Sequence, residues 1–352
     1  MVKKFLISVA LGLYLAAITS CGGQQQSTIN GIRTAQLNIN DQVNNIIKGI
    51  NRFDDNNSSY FYAYSTDDIY ISNNFQSNNK TVWDTINYSA KNVGSVYRIA
   101  PFYYNKNTTL LILNQNYDLF SCSYKSIFEC SPFNENNLFP IETQVNDILG
   151  NGRYDYITSV SGSIFFADKP EKPEDFLNDI SISLLDTLKQ QGLDIQPGDL
   201  KLLKKTVDVT GNFFVLFQIG EDKDKVFLAK YDVATNSWSN DIYQDQVSSS
   251  IVSSPDFVFT KDDSKIFFVP TVKDFLSCKN KHNMLFAVSI LNNSTKKIDH
   301  IPVLIPEYDC SDLSNVKLQN ITIDAHNNLY FTFSNKLITN VFYTNINAFP
   351  KA

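Results

Sequence analysis

An all-β fold built from a repeated four-stranded unit is what this sequence predicts, and three observations predict it. Of 352 residues, 26 are Phe, 18 are Tyr and only 13 are Gly, so the chain carries enough large β-forming side chains to fill a sizeable core. Six short, nearly continuous apolar segments recur: Ser59–Ala63 with Ile69–Ser72, Leu110–Leu113, Ile164–Ala167, Phe213–Phe217, Ile266–Val269 and Leu329–Phe333. Most of their centres lie roughly 40 to 60 residues apart, the spacing of one β-propeller blade or a similar all-β repeat. A run such as Ile266-Phe267-Phe268-Val269 lacks the alternation of a strand with one wet face, so it reads as a strand covered on both sides. Asn, Asp, Ser or Gly turn residues bound each run. The expectation is a β-propeller of about six four-stranded blades, with seven as the alternative.

The first twenty residues read as an address. Lys3 and Lys4 precede Phe5–Ile18, an uncharged apolar run of fourteen residues. A helix needs about 20 residues to span a bilayer core, so this run suits the h-region of a secretory signal instead. It ends in Ile18-Thr19-Ser20-Cys21, followed by Gly22-Gly23-Gln24-Gln25-Gln26. That string resembles the lipobox of bacterial lipoproteins: a branched apolar residue, two small residues, then the cysteine that receives the lipid. The resemblance implies a cleaved signal peptide at residues 1–20 and lipidation of Cys21. Loss of Lys3 and Lys4 moves the formal charge from −6 to −8. Gly22 stands where Asp favours inner-membrane retention, so the resemblance further implies an outer-membrane lipoprotein, facing the periplasm or the cell surface. Residues 21–30 then read as a polar, lipid-anchored tether, and 31–352 as a single propeller domain.

Within that domain the fourth and fifth repeats are the most legible. Strands are expected at Lys204–Val209, Asn212–Gln218, Lys225–Asp232 and Ser237–Tyr243, then at Asp256–Thr260, Lys265–Val269, Met284–Leu291 and Lys297–Val303. The final repeat, Asn320–Asn347, has room for three. Gly31–Ile39 is the early segment able to supply the fourth and remove the open sheet edges. The pattern breaks at about 170–200. Lys169-Pro170-Glu171-Lys172-Pro173 reads as a loop, after which Phe176, Leu177, Ile180, Leu184, Leu185 and Leu188 follow helical spacing. A helical insertion over Glu174–Gln191 is expected in the third blade, with Gly192 as its C-cap.

The cysteine count agrees with export. Setting Cys21 aside leaves Cys122, Cys130, Cys278 and Cys310, an even number that points to disulfides with three possible connectivities. Cys122 and Cys130 sit on two short expected strands joined by a turn. Neighbouring hairpin strands bring Cα atoms to about 5.5 Å, which favours a 122–130 bridge and hence 278–310. No CxxC is present, and His282, His300 and His326 are not at ligand spacing, so neither a metal nor another cofactor is expected. In a meander of strands a to d, the b–c and d–a loops share one face. Cys278 falls in the b–c connection of the fifth repeat and Cys310 follows its fourth strand, so a partner is expected on that face.

Two hairpins carry partial resemblances. Tyr231-Asp232-Val233-Ala234-Thr235-Asn236-Ser237-Trp238 resembles the turn of a kelch-type blade, without the kelch double glycine. Ile71-Ser72-Asn73-Asn74 followed by Lys80-Thr81-Val82-Trp83 resembles a degenerate Asp-box hairpin of sialidase-type propellers, with Asn74 in place of the aspartate. Both motifs are structural in their families, so they imply a fold and not a reaction. Tyr97-Arg98-Ile99-Ala100-Pro101 is loosely similar to the segment bearing the first carboxylate-binding arginine of sialidases. Those enzymes need three such arginines. This chain has only Arg33, Arg52, Arg98 and Arg153, and Arg98 reads as a surface strand charge.

Other chemistry is equally unsupported. There is no GxSxG elbow, phosphate loop or HExxH. Asp222, Asp224, Asp262 and Asp263 read as solvated turn residues. The acidic balance, 36 Asp+Glu against 30 Lys+Arg, argues against nucleic acid as a partner. The function expected is that of a non-enzymatic, membrane-anchored propeller binding a protein or glycan partner on one face, as a scaffold in the envelope. Its architecture resembles that of the propeller lipoprotein of the bacterial outer-membrane assembly machinery. The alternatives are a surface-exposed, host- or niche-facing lipoprotein and a glycan hydrolase, which needs two or three carboxylates with aromatics at the central mouth.

Overall fold

A computed structural model gives the fold. It describes residues 37–38 and 49–345, except 56–57, 73–83, 89–90, 105–106, 124–128, 134–143, 171–174, 177, 194, 197, 221–225, 240–242, 245–256, 261, 263, 269–276, 281–282, 293, 296, 307–316, 324–327 and 335–338. The described strands form six antiparallel sheets. The short β1 (Leu37–Asn38) comes first in the chain but belongs to the last sheet. The first sheet is β2 (Gly49–Asp55), β3 (Ser58–Tyr64), β4 (Asp68–Ser72) and β5 (Asp84–Asn87), in meander order. The second is β6 (Val96–Tyr104), β7 (Asn107–Asn114), β8 (Leu119–Cys122) and β9 (Cys130–Pro132). The third is β10 (Val145–Gly150), β11 (Tyr154–Ser159), β12 (Ile164–Asp168) and β13 (Asn178–Asp179), followed by helix α1 (Ser181–Gln190).

In the fourth sheet, β14 (Leu200–Val207), β15 (Phe213–Ile219) and β16 (Val226–Asp232) precede β17 (Ser237–Trp238) and β18 (Tyr243–Gln244), both paired with β16. The fifth holds β19 (Phe257–Phe259), β20 (Lys265–Phe268), β21 (Ser277–Asn280), β22 (Asn283–Asn292) and β23 (Ile298–Pro306), with β20, β21 and β23 all paired to β22. The sixth is β24 (Lys317–Ile323), β25 (Asn328–Ser334) and β26 (Thr339–Asn345). β1 completes it by pairing antiparallel with β26, Leu37 opposite Val341. First strands touch in sequence: β2 with β6, β6 with β10, β10 with β14, β14 with β19, β19 with β24, and β24 with β2. Meanders stacked face to face around their first strands are the architecture of a β-propeller.

The apolar runs explain the stacking. Phe213, Val215 and Phe217 face a core shared with the third sheet, where Tyr156, Ile164 and Phe166 lie. Phe214 and Leu216, on the opposite side of the same strand, join Phe257, Phe259, Ile266 and Phe268 of the fifth. Likewise Leu110 and Ile112 pack toward the first sheet and Leu111 and Leu113 toward the third. A strand alternates its side chains, so a continuous apolar run feeds two cores at once. Each fully buried aromatic or aliphatic side chain contributes about 1.5–3 kcal/mol relative to exposure.

Two features, the place of Ile164–Ala167 in its sheet and the extent of the helix, differ from the sequence reading, whereas the Cys122–Cys130 bridge agrees with it. Ile164–Ala167 is the third strand of its sheet, whereas the apolar runs of the second, fourth, fifth and sixth sheets are second strands; here the second, β11, is also buried but carries Asp155, Thr158 and Ser159, which hide it from a search for apolar runs. The helix is shorter than Glu174–Gln191, because Asn178 and Asp179 first pair with Phe166 and Phe165 of β12. Asp179 Oδ1 accepts hydrogen bonds from Ser181 N and Oγ and from Ile164 N, fixing the turn into α1. The helix lies in the connection from the third sheet to the fourth; Leu184, Leu185 and Leu188 enter their shared core, and Gly192 follows its end at φ 86°. Cys122 and Cys130 face each other across β8 and β9 and are disulfide-bonded, with Cα atoms 4.1 Å apart. Cys278 lies on β21, in the connection between β20 and β22, whereas Cys21 and Cys310 fall outside the described residues.

Gly211, in the turn between β14 and β15, shows how closely adjacent sheets approach. It sits at φ 98°, its carbonyl accepts a 2.6 Å hydrogen bond from the Tyr156 hydroxyl, and an added Cβ meets the Tyr154 ring at 2.0 Å. Gly220 has φ 62° and open space around it. Gly220→Ala therefore costs only the left-handed backbone penalty, about 1 kcal/mol. Gly211→Ala adds a clash between sheets and should lower the urea midpoint by an increment at least about 2 kcal/mol larger. Equal midpoints for the two variants would refute this packing.

Candidate functional site

Three charged side chains from three consecutive first strands meet. Arg98 on β6 donates from Nε to Asp147 Oδ1 at 2.8 Å and from a terminal nitrogen to Oδ2 at 3.4 Å. Lys205 on β14 places Nζ 3.3 Å from Asp147 Oδ2 and donates to Thr158 Oγ1 at 3.1 Å. Thr158 Oγ1 in turn donates to Asn146 Oδ1 at 2.6 Å, and Ile148 N donates to Asp147 Oδ1. Strand irregularities aim these groups. The β6–β7 register shifts between Val96 and Arg98, the β10–β11 register between Val145 and Asp147, and the β14–β15 register between Leu202 and Lys204. A bulge gives the strand an extra residue and turns the following side chains out of strict alternation.

Burial sets the electrostatics. Alone it would raise the Asp147 carboxyl, but the Arg98 guanidinium and Lys205 ammonium, with their hydrogen bonds, hold it below its ordinary value. Burial lowers Lys205, and the like charge of Arg98 adds to this against the attraction of Asp147. Burial also raises the Tyr64 hydroxyl, against the pull of the same guanidinium. One carboxylate between two cations joins sheets electrostatically; it is not the carboxylate pair of glycoside hydrolysis. Arg98 is thus a half-buried ion-pair member rather than a surface strand charge, because β10 brings Asp147 against it.

Above this cluster lies an aromatic rim. Tyr97, the bulge residue of β6, is 45% exposed, and Tyr117, in the turn between β7 and β8, is 42% exposed; their ring centroids are 6.4 Å apart. Asn114 Oδ1 accepts from Asn116 N and Asp118 N, and its Nδ2 donates to Val93 O, so the turn is fixed to the neighbouring connection. Tyr117 sits at φ 67°, a left-handed conformation costing a bulky residue about 1–2 kcal/mol. The other exposed large hydrophobics among the described residues are Val160 (62%), between β11 and β12, and Ile182 (61%), on α1. By loop parity Tyr97, Tyr117 and Val160 belong to the face that bears the b–c and d–a connections, whereas Ile182 lies on α1, which packs against β17 at the c–d hairpin of the fourth sheet.

The remaining sequence-predicted residues are dispersed. Asp262 is held low by hydrogen bonds from Thr260 and Ser264 and organises the turn between β19 and β20. Asp222, Asp224, Asp263, His282 and His326 lie outside the described residues. His300 Nδ1 is 2.8 Å from Ser289 Oγ, and among the described residues no three potential ligands form a metal cluster. Tyr231 donates its hydroxyl to Asn236, while Trp238 Nε1 donates to Ile180 O at 2.8 Å, tying the hairpin to the start of α1. Asp147 and Lys205 were not singled out from sequence. The available signal was a carboxylate inside Val145-Asn146-Asp147-Ile148-Leu149 and a lysine pair inside a strand.

No protein-family profile and no curated protein matches the chain. Solved structures do. The chain is similar to YCF48 bound to a D1 peptide, at 11% identity and TM-score 0.47, covering 94% of this chain and 100% of that one. It is also similar to Raptor from Chaetomium thermophilum, at 10% identity and TM-score 0.43, covering 85% of this chain and 24% of that one. A third is the WD40 domain of SCAP from fission yeast, at 10% identity and TM-score 0.36, covering 82% and 69%. Likenesses this distant carry no functional weight.

Asp147 is the keystone of the cluster. Asp147→Asn strands two cations and should cost about 3 kcal/mol. Lys205→Met keeps the Arg98–Asp147 pair and replaces a poorly hydrated ammonium with an apolar stem, so its cost should stay under about 1 kcal/mol. Because the folded Asp147 pKa is depressed, its contribution is complete above the unfolded value of about 3.9 and disappears as pH falls through the lower folded value. The stability gap between wild type and Asp147→Asn, read by denaturant titration, should hold above about pH 4 and narrow below it. A gap that widened in acid would invert the assignment.

Proposed function

We propose that this chain is a lipid-anchored envelope propeller that serves as a binding scaffold for a protein partner. In this reading the six sheets are blades of one closed ring, Cys21 carries the lipid in the outer membrane, and 278–310 is the second disulfide. The observation that carries the partner assignment is the pair of exposed rings Tyr97 and Tyr117, 6.4 Å apart, with exposed Val160 on the same face by loop parity. Tyr117 adds to it: a residue held at a costly φ supports selection for the position of its side chain rather than for the turn. Aromatic side chains beside a guanidinium are the groups that dominate protein interfaces.

The two halves of the proposal are tested separately. Fatty-acid labelling of growing cells should mark the wild type and leave Cys21→Ser unmarked; label on the mutant would end the lipoprotein assignment. Photo-crosslinking side chains placed at 97 and 117 should capture the same discrete protein in intact cells, while one at 153, on the opposite face, should not. Tyr117→Asn should then abolish the crosslink from 97 while raising stability by about 0.5–1 kcal/mol through relief of the left-handed tyrosine. A partner captured equally from both faces would refute the assignment of the surface.

A further inference from the structure

Tyr97 and Tyr117 are the exposed tyrosines among the described residues, at 45% and 42%, and each is the other's neighbour. Their ring centroids lie 6.4 Å apart with the planes tilted by 54°, within the range of about 4.5–7 Å over which aromatic rings touch. Different elements hold the two rings. Tyr97 is the bulge residue of β6, while the turn that carries Tyr117 is tied down by Asn114 through Asn116 N, Asp118 N and Val93 O. Tyr62 and Tyr64 of β3 have the same centroid separation, 6.4 Å, but are 0% and 3% exposed. Two tyrosine pairs of equal spacing therefore exist, one open to solvent and one sealed. On the sheet that bears Tyr97, Cys122 and Cys130 are joined by a disulfide, a bond that persists in oxidising compartments.

We infer that the Tyr97–Tyr117 pair is a site of oxidative tyrosine coupling, with a peroxide and a haem peroxidase as the oxidising system. Each phenol gives one electron to the oxidant and its hydroxyl proton to solvent, which leaves two phenoxyl radicals. Their ortho carbons join in a new C–C bond. The hydrogen on each joined carbon then moves to its own ring oxygen, and both rings regain aromaticity as a dityrosine. Two electrons and two protons leave the protein, and one hydrogen peroxide takes them up to form two waters. Proximity decides the product, since a ring beside its partner reacts at an effective concentration far above that of a second protein molecule. Exposed side chains reorient within ps–ns, so the ortho carbons can close the remaining gap. Exposure decides the pair, because an oxidant working at the surface reaches 97 and 117 but not 62 and 64. The new bond spans 20 positions of sequence and fastens the β7–β8 turn to the start of β6. The inference stands on ring geometry and exposure, independently of any protein partner.

The test treats the purified protein with hydrogen peroxide and a haem peroxidase, under conditions that couple free N-acetyltyrosine. After reduction of the disulfide and digestion, mass spectrometry should find the peptides bearing 97 and 117 joined, two hydrogens lighter than their sum. That product should exceed any 62–64 product by about tenfold or more, and its yield per molecule should be unchanged when the protein is diluted. Tyr97→Phe and Tyr117→Phe each keep the ring and remove the hydroxyl, and each should abolish the joined peptide. A 62–64 product of equal abundance, a yield that falls in proportion to dilution, a joined peptide that persists in either variant, or no joined peptide while N-acetyltyrosine couples would overturn the inference.

Discussion

Each sheet must bury both of its faces, and Phe213–Phe217 show what that demands. Alternate residues of one strand belong to different cores, Phe213, Val215 and Phe217 to one and Phe214 and Leu216 to another. A single four-stranded meander with two apolar faces is insoluble alone. It finds cover only between two others, each of which has the same need. A ring satisfies that requirement for every member without leaving terminal sheets uncovered. The aromatic abundance of the sequence follows, because wedge-shaped spaces between sheets call for large side chains such as Tyr156, Phe166 and Phe213, which stack with centroids about 5 Å apart.

That constraint is also why so much of the architecture was legible. Runs of four or five apolar residues announce the doubly covered strands, and turn residues punctuate them. The Tyr231–Trp238 segment joins β16 to β17, while the second partial motif falls outside the described residues from Asn73 to Trp83. Legibility failed where polar residues enter a buried strand. β11 carries Thr158 because Asn146 and Lys205 hydrogen-bond it, and hydropathy cannot register a partner that is distant in sequence. The ion cluster failed for the same reason. Arg98, Asp147 and Lys205 are each about 50 residues from the next. Only the ring brings them together. The helix was recognised by its spacing, but its start was set by Asp179, whose partners Ile164 and Ser181 lie on different elements.

Buried ion groups stabilise less than their distances suggest, since desolvation offsets much of the attraction. Their value in this ring is positional. Three first strands that bear only apolar residues could slide along the axis with little change in burial. A carboxylate bonded to strands on either side fixes their height relative to one another, and with it the rim above. The Tyr97–Tyr117 pair is built on that base: Tyr97 precedes Arg98 directly, and the turn that holds Tyr117 is bonded to Val93, just before β6.

The join between β1 and β26 has a mechanical meaning. Bringing Leu37 to Val341 closes a loop of about 300 residues, at an entropic cost of about 5 kcal/mol, and the strand that closes it is two residues long. Every other sheet is joined through covalently adjacent strands, whereas this one is joined by residues from opposite ends of the chain. Among the described residues the seam of the ring therefore rests on two residue pairs drawn from opposite ends of the chain, whereas the interfaces of the second to fifth sheets rest on Phe- and Tyr-filled packing between neighbours in sequence.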